Sequence, residues 1–423
     1  MLYFSYQMGG ANIMKSLLAS HAKGKIKPDA IFGVGAKAKE AKAAFGAEKV
    51  IDGSIGILLD DQGELALLPS VEKATAMLKP ENIAPYAPIC GTPEYRGDVV
   101  SYLFGKESQI LPTGAVATAG ATGALRLAVW NFLEPGDALI THDYYWGPYG
   151  TMARDALREL ETFATFTESG DFNVNACLKC TEEVLNRQGR ALVIINTPCH
   201  NPSGMSLKHE ELISLKKGLD ELCLKNPEKP LVLLFDVAYW EFEEPERNQL
   251  FLSQFVDMPD NFVFCMAYSI SKSLTRYGFR TGALVVRCRE QAVLNEIIDT
   301  MRMSIRSMWS NSPRIGQAVF STIFRSDELR AQLAAEQRHF ANLCNSRGHA
   351  FVKEARACGL QTTPYAGGFF VTIPCANSKA VSDRLFKQRI FLVPMKKGVR
   401  VAFCAIPTHQ ISGLAEKIRA ALE

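Results

Sequence analysis

Several familiar signals are missing from this chain, and each absence excludes something. No apolar run is long enough to cross a bilayer. The longest, such as Leu231 to Phe235, are strand-sized and end at charged or turn residues. The opening stretch MLYFSYQMGGANIMK has neither a basic start nor a long apolar core, so no secretory signal is expected. Lys and Arg are spread along the chain at a formal net charge of only +3, with no basic tail for a nucleic acid. The seven histidines show no HxxxH or equivalent spacing, so no metal site is expected. Eleven cysteines scattered through 423 residues build no disulfide framework and read as reduced, cytoplasmic thiols. The lone CxxC, Cys177 and Cys180, reads as two side chains on one side of a helical turn. There is no internal repeat, coiled-coil heptad or low-complexity tract.

What remains is an ordinary globular composition, 47% hydrophobic and 22% charged, on a chain long enough for more than one domain. From about residue 112 to 290, apolar strand-sized runs alternate with helical patterns. Strands are expected at Ala115 to Ala119, Ala138 to Thr141, Ala191 to Ile195, Leu231 to Phe235, Phe262 to Ala267 and Gly282 to Val286. Helices are expected at Thr122 to Phe132, around Cys180 to Arg187, and at Lys208 to Asn226. This order predicts an α/β fold with a mostly parallel sheet covered by helices. Beyond residue 312 the texture changes. One long helix is expected from Gly316 to about Arg347. A strand at Phe369 to Thr372, a helix at Ala380 to Lys387, strands at Ile390 to Val393 and Val399 to Cys404, and a last helix from Ile411 then suggest a smaller α+β domain. The N-terminal residues show no sheet-forming rhythm before Ser54 to Leu59. They are expected to form an arm and part of that smaller domain, so that it is built from both chain ends. The expected division is 1–65 for the arm and part of the small domain, 66–315 for a large domain, and 316–423 for the rest of the small domain.

The residues with chemistry follow the strand ends, where ligands of open α/β sheets bind. Asp236 closes the run LVLLFD, and an unpaired acid after such a strand is costly to bury. Asn201 lies in the turn-rich NTPCHNPSG. The segment SISKSLTRYGFRTG, Ser269 to Gly282, places Ser269, Ser271, Lys272, Arg280 and Gly282 at fixed spacing. Any one of these is unremarkable alone: a lysine after a strand is usually a solvated lysine, and an aspartate there often caps a turn.

Taken together, the segment resembles the cofactor-lysine signature of the class I aminotransferases, in their aspartate and aromatic branch. Matches recur in order from about Tyr86 to Arg400. The resemblance implies a pyridoxal 5'-phosphate enzyme in which Lys272 holds the cofactor covalently and shuttles protons. It implies that Arg280 clamps the phosphate with Ser269 and Ser271 nearby, a planar guanidinium suiting two oxygens at once. GATGALR, Gly120 to Arg126, resembles the phosphate-cradling turn, with the N–H groups of Gly120, Ala121 and Thr122 at a helix start. Gly120 stands where the family's usual serine lies, and Ala121 replaces its usual glycine, so one hydroxyl is missing. Asp236 matches the acid that pairs with the protonated pyridine nitrogen, which makes the ring a better electron sink. Tyr239 and Asn201 match the two donors to the ring oxygen, and Trp146 the aromatic residue against the ring face. Tyr149 stands where the closest relatives carry a histidine that supports the ring aspartate.

For the substrate, Arg400 in KKGVRVAFCAI matches the arginine that binds the α-carboxylate, and the resemblance implies that Asn201 and Trp146 bind substrate there too. Arg306, twenty-six residues after Arg280, matches the arginine that grips a distal carboxylate across the dimer. Tyr86 in YAPICG matches the tyrosine that reaches the partner's phosphate. The resemblance thus implies a homodimeric transaminase acting on amino acids and 2-oxo acids, with aspartate-like or aromatic donors. Phe369 and Phe370 are expected in the core, with a pocket-lining role as the alternative. A β-lyase or aspartate decarboxylase on the same scaffold is the nearest rival, and a non-enzymatic binding protein a more distant one.

Overall fold

The computed structural model describes residues 17–23, 25 and 30–423, the side chain of residue 30 excepted. The opening stretch read above for a secretory signal lies outside them. Among the described residues the strands form two sheets. In chain order the strands are β1 Ile51–Gly53, β2 Thr113–Thr118, β3 Ala138–His142, β4 Glu159–Phe163, β5 Ala191–Asn196 and β6 Leu231–Asp236. They continue with β7 Phe262–Ser269, β8 Gly282–Arg287, β9 Phe370–Pro374, β10 Ile390–Met395 and β11 Gly398–Ala402.

The larger sheet has the order β2-β8-β7-β6-β5-β3-β4. Five neighbouring strands, β7, β6, β5, β3 and β4, run parallel, while β8 is antiparallel to both β7 and β2. Every residue of β3, β5, β6, β7 and β8 is buried. That explains why they are apolar up to their last residues, because a strand with helices on both faces has no solvent side. The helices Gly120–Phe132 and Gln291–Met308 cover one face, and Val174–Gln188 and His209–Lys225 the other; two apolar clusters fill the layers between. Cys177 and Cys180 are buried in the core face of Val174–Gln188 and are free thiols.

The smaller sheet, β1-β10-β11-β9, draws one strand from the N-terminal part of the chain and three from beyond residue 369. Its first strand differs from expectation. The pairing residues are Ile51 to Gly53, parallel to Ile390 to Leu392, whereas 54–59 runs on as irregular chain, apart from one bridge at Leu59. The expected helix from Gly316 to Arg347 is also two helices, Arg314–Phe324 and Asp327–Ala357. Ser326 divides them: its side chain accepts from Leu329 N, and Asp327 and Glu328 place negative charge in the new first turn. The last helix starts at Leu414, after a 3-10 turn at Thr408–Gln410. No helix among the described residues is long and apolar enough to cross a membrane.

Strand register sets where the polar residues fall. Thr118 pairs with Gly282, and Gly282 with Ser269, so the end of β2, the start of β8 and the end of β7 share one row. Two residues earlier on β7, Ala267 pairs with Asp236, and Asp236 with Asn196. One edge of the sheet therefore collects residues from five separate sequence segments.

Candidate active site

Lys272 lies on the short helical turn Ile270–Ser273 that leaves β7. Its Nζ donates to the carbonyl of Gly56 at 3.0 Å and stands 4.4 Å from the Tyr277 ring centre and 5.9 Å from that of Phe369. Part of the side chain meets solvent, but the amine end is enclosed. That loss of hydration, with Arg280 and Arg400 nearby, pulls Lys272 down to about 8. Asp236 shifts the other way. Burial raises its carboxyl to about 6, against the pull of a hydrogen bond from Tyr149 and the charge of Lys272. The two groups are near enough for each to bias the other's charge.

Both oxygens of Asp236 are engaged. Oδ2 accepts from the Tyr149 hydroxyl at 2.6 Å, and Oδ1 from Ala238 N at 3.3 Å. Tyr149 belongs to the helix Pro148–Asp155, and its ring meets that of Trp146 edge-on at 5.8 Å. Asn196 holds the main chain of Asp236 through an Nδ2 to carbonyl bond of 2.7 Å. On the Asn201 side, the turn contains two cis prolyl bonds, at Pro198 and Pro202. Asn201 sits within reach of the buried Tyr239 hydroxyl and accepts from Arg400 Nη1 at 3.2 Å. Arg400, on β11, is buried; its Nη2 donates to Ser54 O at 2.7 Å, and its guanidinium lies 4.3 Å from the Phe370 ring centre. Phe369 and Phe370 are thus core residues that also wall the site.

A second grouping surrounds the start of the helix Gly120–Phe132. Gly120 has φ +68, and a Cβ built there would stand 2.8 Å from Arg280 Nη2. Gly282 is equally confined, since its Cβ would meet Tyr268 O at 2.4 Å and the main chain of Gly120 and Ala121. Arg280 is exposed, in the left-handed region at φ +47, with Nη1 donating to Ser271 Oγ at 3.2 Å and Tyr277 O at 3.0 Å. A non-glycine residue held there signals that the surroundings fix it. Ser269 Oγ accepts from Ser271 N at 3.2 Å. An exposed guanidinium, two serine hydroxyls and unpaired helix N–H groups form a cradle suited to an anion.

Tyr86 and Arg306 are not brought into this cluster. Tyr86 is 88% exposed, and Arg306 is exposed, with Nη1 donating to Ser310 Oγ at 2.6 Å. Sequence reasoning missed the carbonyls of Ser54 and Gly56, which no side-chain pattern marks. It also missed Tyr277, whose hydroxyl accepts from Leu58 N at 2.8 Å. A cavity of about 820 Å³ elsewhere is lined by Tyr102, Trp240, Glu241, Tyr268 and Gln337 among others, and neither Lys272 nor Asp236 borders it.

The arrangement offers an enclosed amine of lowered basicity, an acid of lowered acidity, an anion cradle and a buried guanidinium. The chain as a whole is similar to known proteins. The model of the family "Aminotransferase class I and II" matches residues 48–418. A crystal structure of an aminotransferase from Anaerococcus prevotii superposes with a TM-score of 0.93 at 33% identity, covering 97% of this chain and all of the other. Mitochondrial aspartate aminotransferase of Gallus gallus is 25% identical over 409 residues, 92% of this chain and 91% of its own length. Aspartate aminotransferase of Pseudomonas aeruginosa is 28% identical over 317 residues, 72% of this chain and 76% of its own. The chain therefore belongs to the class I and II aminotransferases and is a pyridoxal-phosphate-dependent transaminase.

Proposed function

We propose that this transaminase moves the amino group of an aspartate-like or aromatic L-amino acid to a 2-oxo acid such as 2-oxoglutarate, at the carboxyl ends of β5, β6 and β7. The observation that carries this reading is the meeting of Lys272 and Asp236 at one sheet edge, the amine lowered to about 8 and the acid raised to about 6. Pyridoxal phosphate fits the residues present. The room left by the missing Cβ of Gly120, beneath Arg280, and the hydroxyls of Ser269 and Ser271 suit its phosphate, together with the N–H groups of Gly120, Ala121 and Thr122. Asp236 would take the ring nitrogen, Tyr239 and Asn201 the ring oxygen, and Trp146 the ring face. When bound, the cofactor supplies an aldehyde for amines and a ring that draws electrons from the substrate carbon.

The protein's own groups do the rest. Lys272 takes the proton from the substrate Cα and carries it, as an amine whose basicity burial lowers to about 8. Arg400 exchanges Ser54 O and Asn201 for the α-carboxylate, which orients the Cα–H toward Lys272. Arg306 and Tyr86, exposed in one chain, act across a homodimer on the distal carboxylate and the phosphate. Closing of a smaller domain, built on the four-stranded sheet, excludes water. The free cysteines support a reducing, cytoplasmic setting.

Incubation with aspartate and 2-oxoglutarate tests the reaction type. Glutamate and oxaloacetate are expected; alanine and carbon dioxide would mean decarboxylation instead. A donor panel of aspartate, tyrosine, phenylalanine and alanine, repeated with Arg306→Leu, tests the clamp. Loss confined to aspartate supports it, and equal loss with every donor refutes it.

A further inference from the structure

We propose that Tyr149 is a positioning residue that keeps the proton shared between the cofactor ring and Asp236 on the ring nitrogen, by stabilising the carboxylate through a neutral phenol hydrogen bond. The inference rests on the reading of Asp236 given above and adds a specific device to it. The Tyr149 hydroxyl donates to Asp236 Oδ2 at 2.6 Å, the shorter of the two bonds this carboxylate accepts. The phenol has little freedom to do anything else. Tyr149 is 1% exposed, belongs to the apolar cluster on one face of the large sheet, and meets the edge-on Trp146 ring. Its main-chain N also bonds to Trp146 O at 2.9 Å, at the helix start.

The chemistry of the donor matters. A phenol buried beside a carboxylate stays protonated, and here burial and the Asp236 charge both push it well above its ordinary range. Tyr149 can therefore stabilise a negative Asp236 without bringing a positive charge of its own and without titrating in the working pH range. An imidazole at the same place could do both. Other charged or titratable groups facing Asp236 are Tyr239, which follows β6, and Lys272 from the turn after β7. Lys272 gives its hydrogen bond to Gly56, which leaves the phenol and the Ala238 amide as the direct donors to the carboxylate. Without the phenol, the carboxylate becomes the better base, and the shared proton passes from ring nitrogen to Asp236.

The test uses holoenzyme loaded with pyridoxal phosphate labelled with nitrogen-15 in the ring. Its nitrogen shift separates protonated from neutral pyridine across a pH series, independently of activity. The parent is expected to stay protonated. In Tyr149→Phe the signal should move toward the neutral position, with kcat down about ten- to a hundredfold, the range for a lost bond to a charged group, and KM for the amino donor nearly unchanged. Tyr149→His should recover kcat and add a pH step near the imidazole range that the parent lacks. A Tyr149→Phe holoenzyme whose ring nitrogen titrates as in the parent overturns the inference. Should that variant fail to load, 3-fluorotyrosine at 149, a stronger donor of similar shape, must shift the nitrogen titration, and an unchanged titration overturns it equally. Lys272→Ala serves as the control for the reading beneath. If that change abolishes amino transfer from aspartate to 2-oxoglutarate while the ring nitrogen of Tyr149→Phe titrates as in the parent, transamination stands and this inference falls.

Discussion

The lysine and the glycine at the two ends of the site make the sharpest predictions at the scale of single residues. A lysine lowered to about 8 gains its neutral, nucleophilic form as pH rises through 8, not through its ordinary 10.5. Capture of added pyridoxal phosphate by cofactor-free protein, followed by absorbance, should therefore accelerate from pH 6 to about 8 and then level off. It should vanish in Lys272→Ala, and an acceleration that continues unchanged to pH 10 would contradict the assignment. Gly120→Ala forces a side chain into a left-handed residue and against Arg280 Nη2. The backbone penalty is about 1 kcal/mol. Arg280 must also swing from the helix start, so cofactor release on dialysis should quicken along with a small fall in melting temperature. Position after an apolar strand marked Asp236, Asn201 and Lys272 only weakly; most of these residues were named from the sequence because their motifs resemble those of the aminotransferases. The carbonyls of Ser54 and Gly56 were not, since every residue has one and only the fold aims it. The bond from Tyr149 to Asp236 was equally hidden: the sequence shows a tyrosine in place of a histidine, but not where its hydroxyl points.

Among the elements, the boundary at Ser326 carries the clearest test. Its side chain caps the helix Asp327–Ala357, so Ser326→Ala should cost about 1 kcal/mol in thermal or urea unfolding. Ser326→Asp should keep most of that stability, and equal losses in both would deny the cap its role. The division was hard to read beforehand because the apolar spacing continues across it. Ile323, Leu329 and Leu333 all face the same core, and a shared core imposes one rhythm on two helices. The buried central strands were easy for the opposite reason. LVLLFD and FVFCMAYS are apolar up to their polar last residues, Asp236 and Ser269, as parallel strands covered on both faces require. β1 has three residues and only one is buried, too short to alternate, so it exists because β10 offers a partner. β4 is an edge strand with exposed or half-exposed Glu159 to Thr162, and it left no strand-like signal.

For the molecule as a whole, Tyr86 and Arg306 stand outside the cluster formed by their own chain, and this gives a test of assembly. Lys272→Ala and Arg306→Leu subunits are each defective in aspartate transamination alone. If Arg306 acts across the interface, a hybrid dimer holds one intact site, so equal mixing after dissociation should restore about a quarter of the parent activity. No recovery, with exchange of subunits verified by mass, would place Arg306 in the service of its own chain. A different consequence comes from the run of chain between Ser54 and Leu59. Ser54 and Gly56 occupy the two cations with their carbonyls, while Leu58 and Leu59 give their amides to Tyr277 and to Cys404 O. One short ribbon thus ties the N-terminal region to both Arg400 and Lys272. Any molecule that claims either cation must first loosen a stitch in it, so deuterium uptake at these few amides becomes a built-in gauge of what the enzyme is holding.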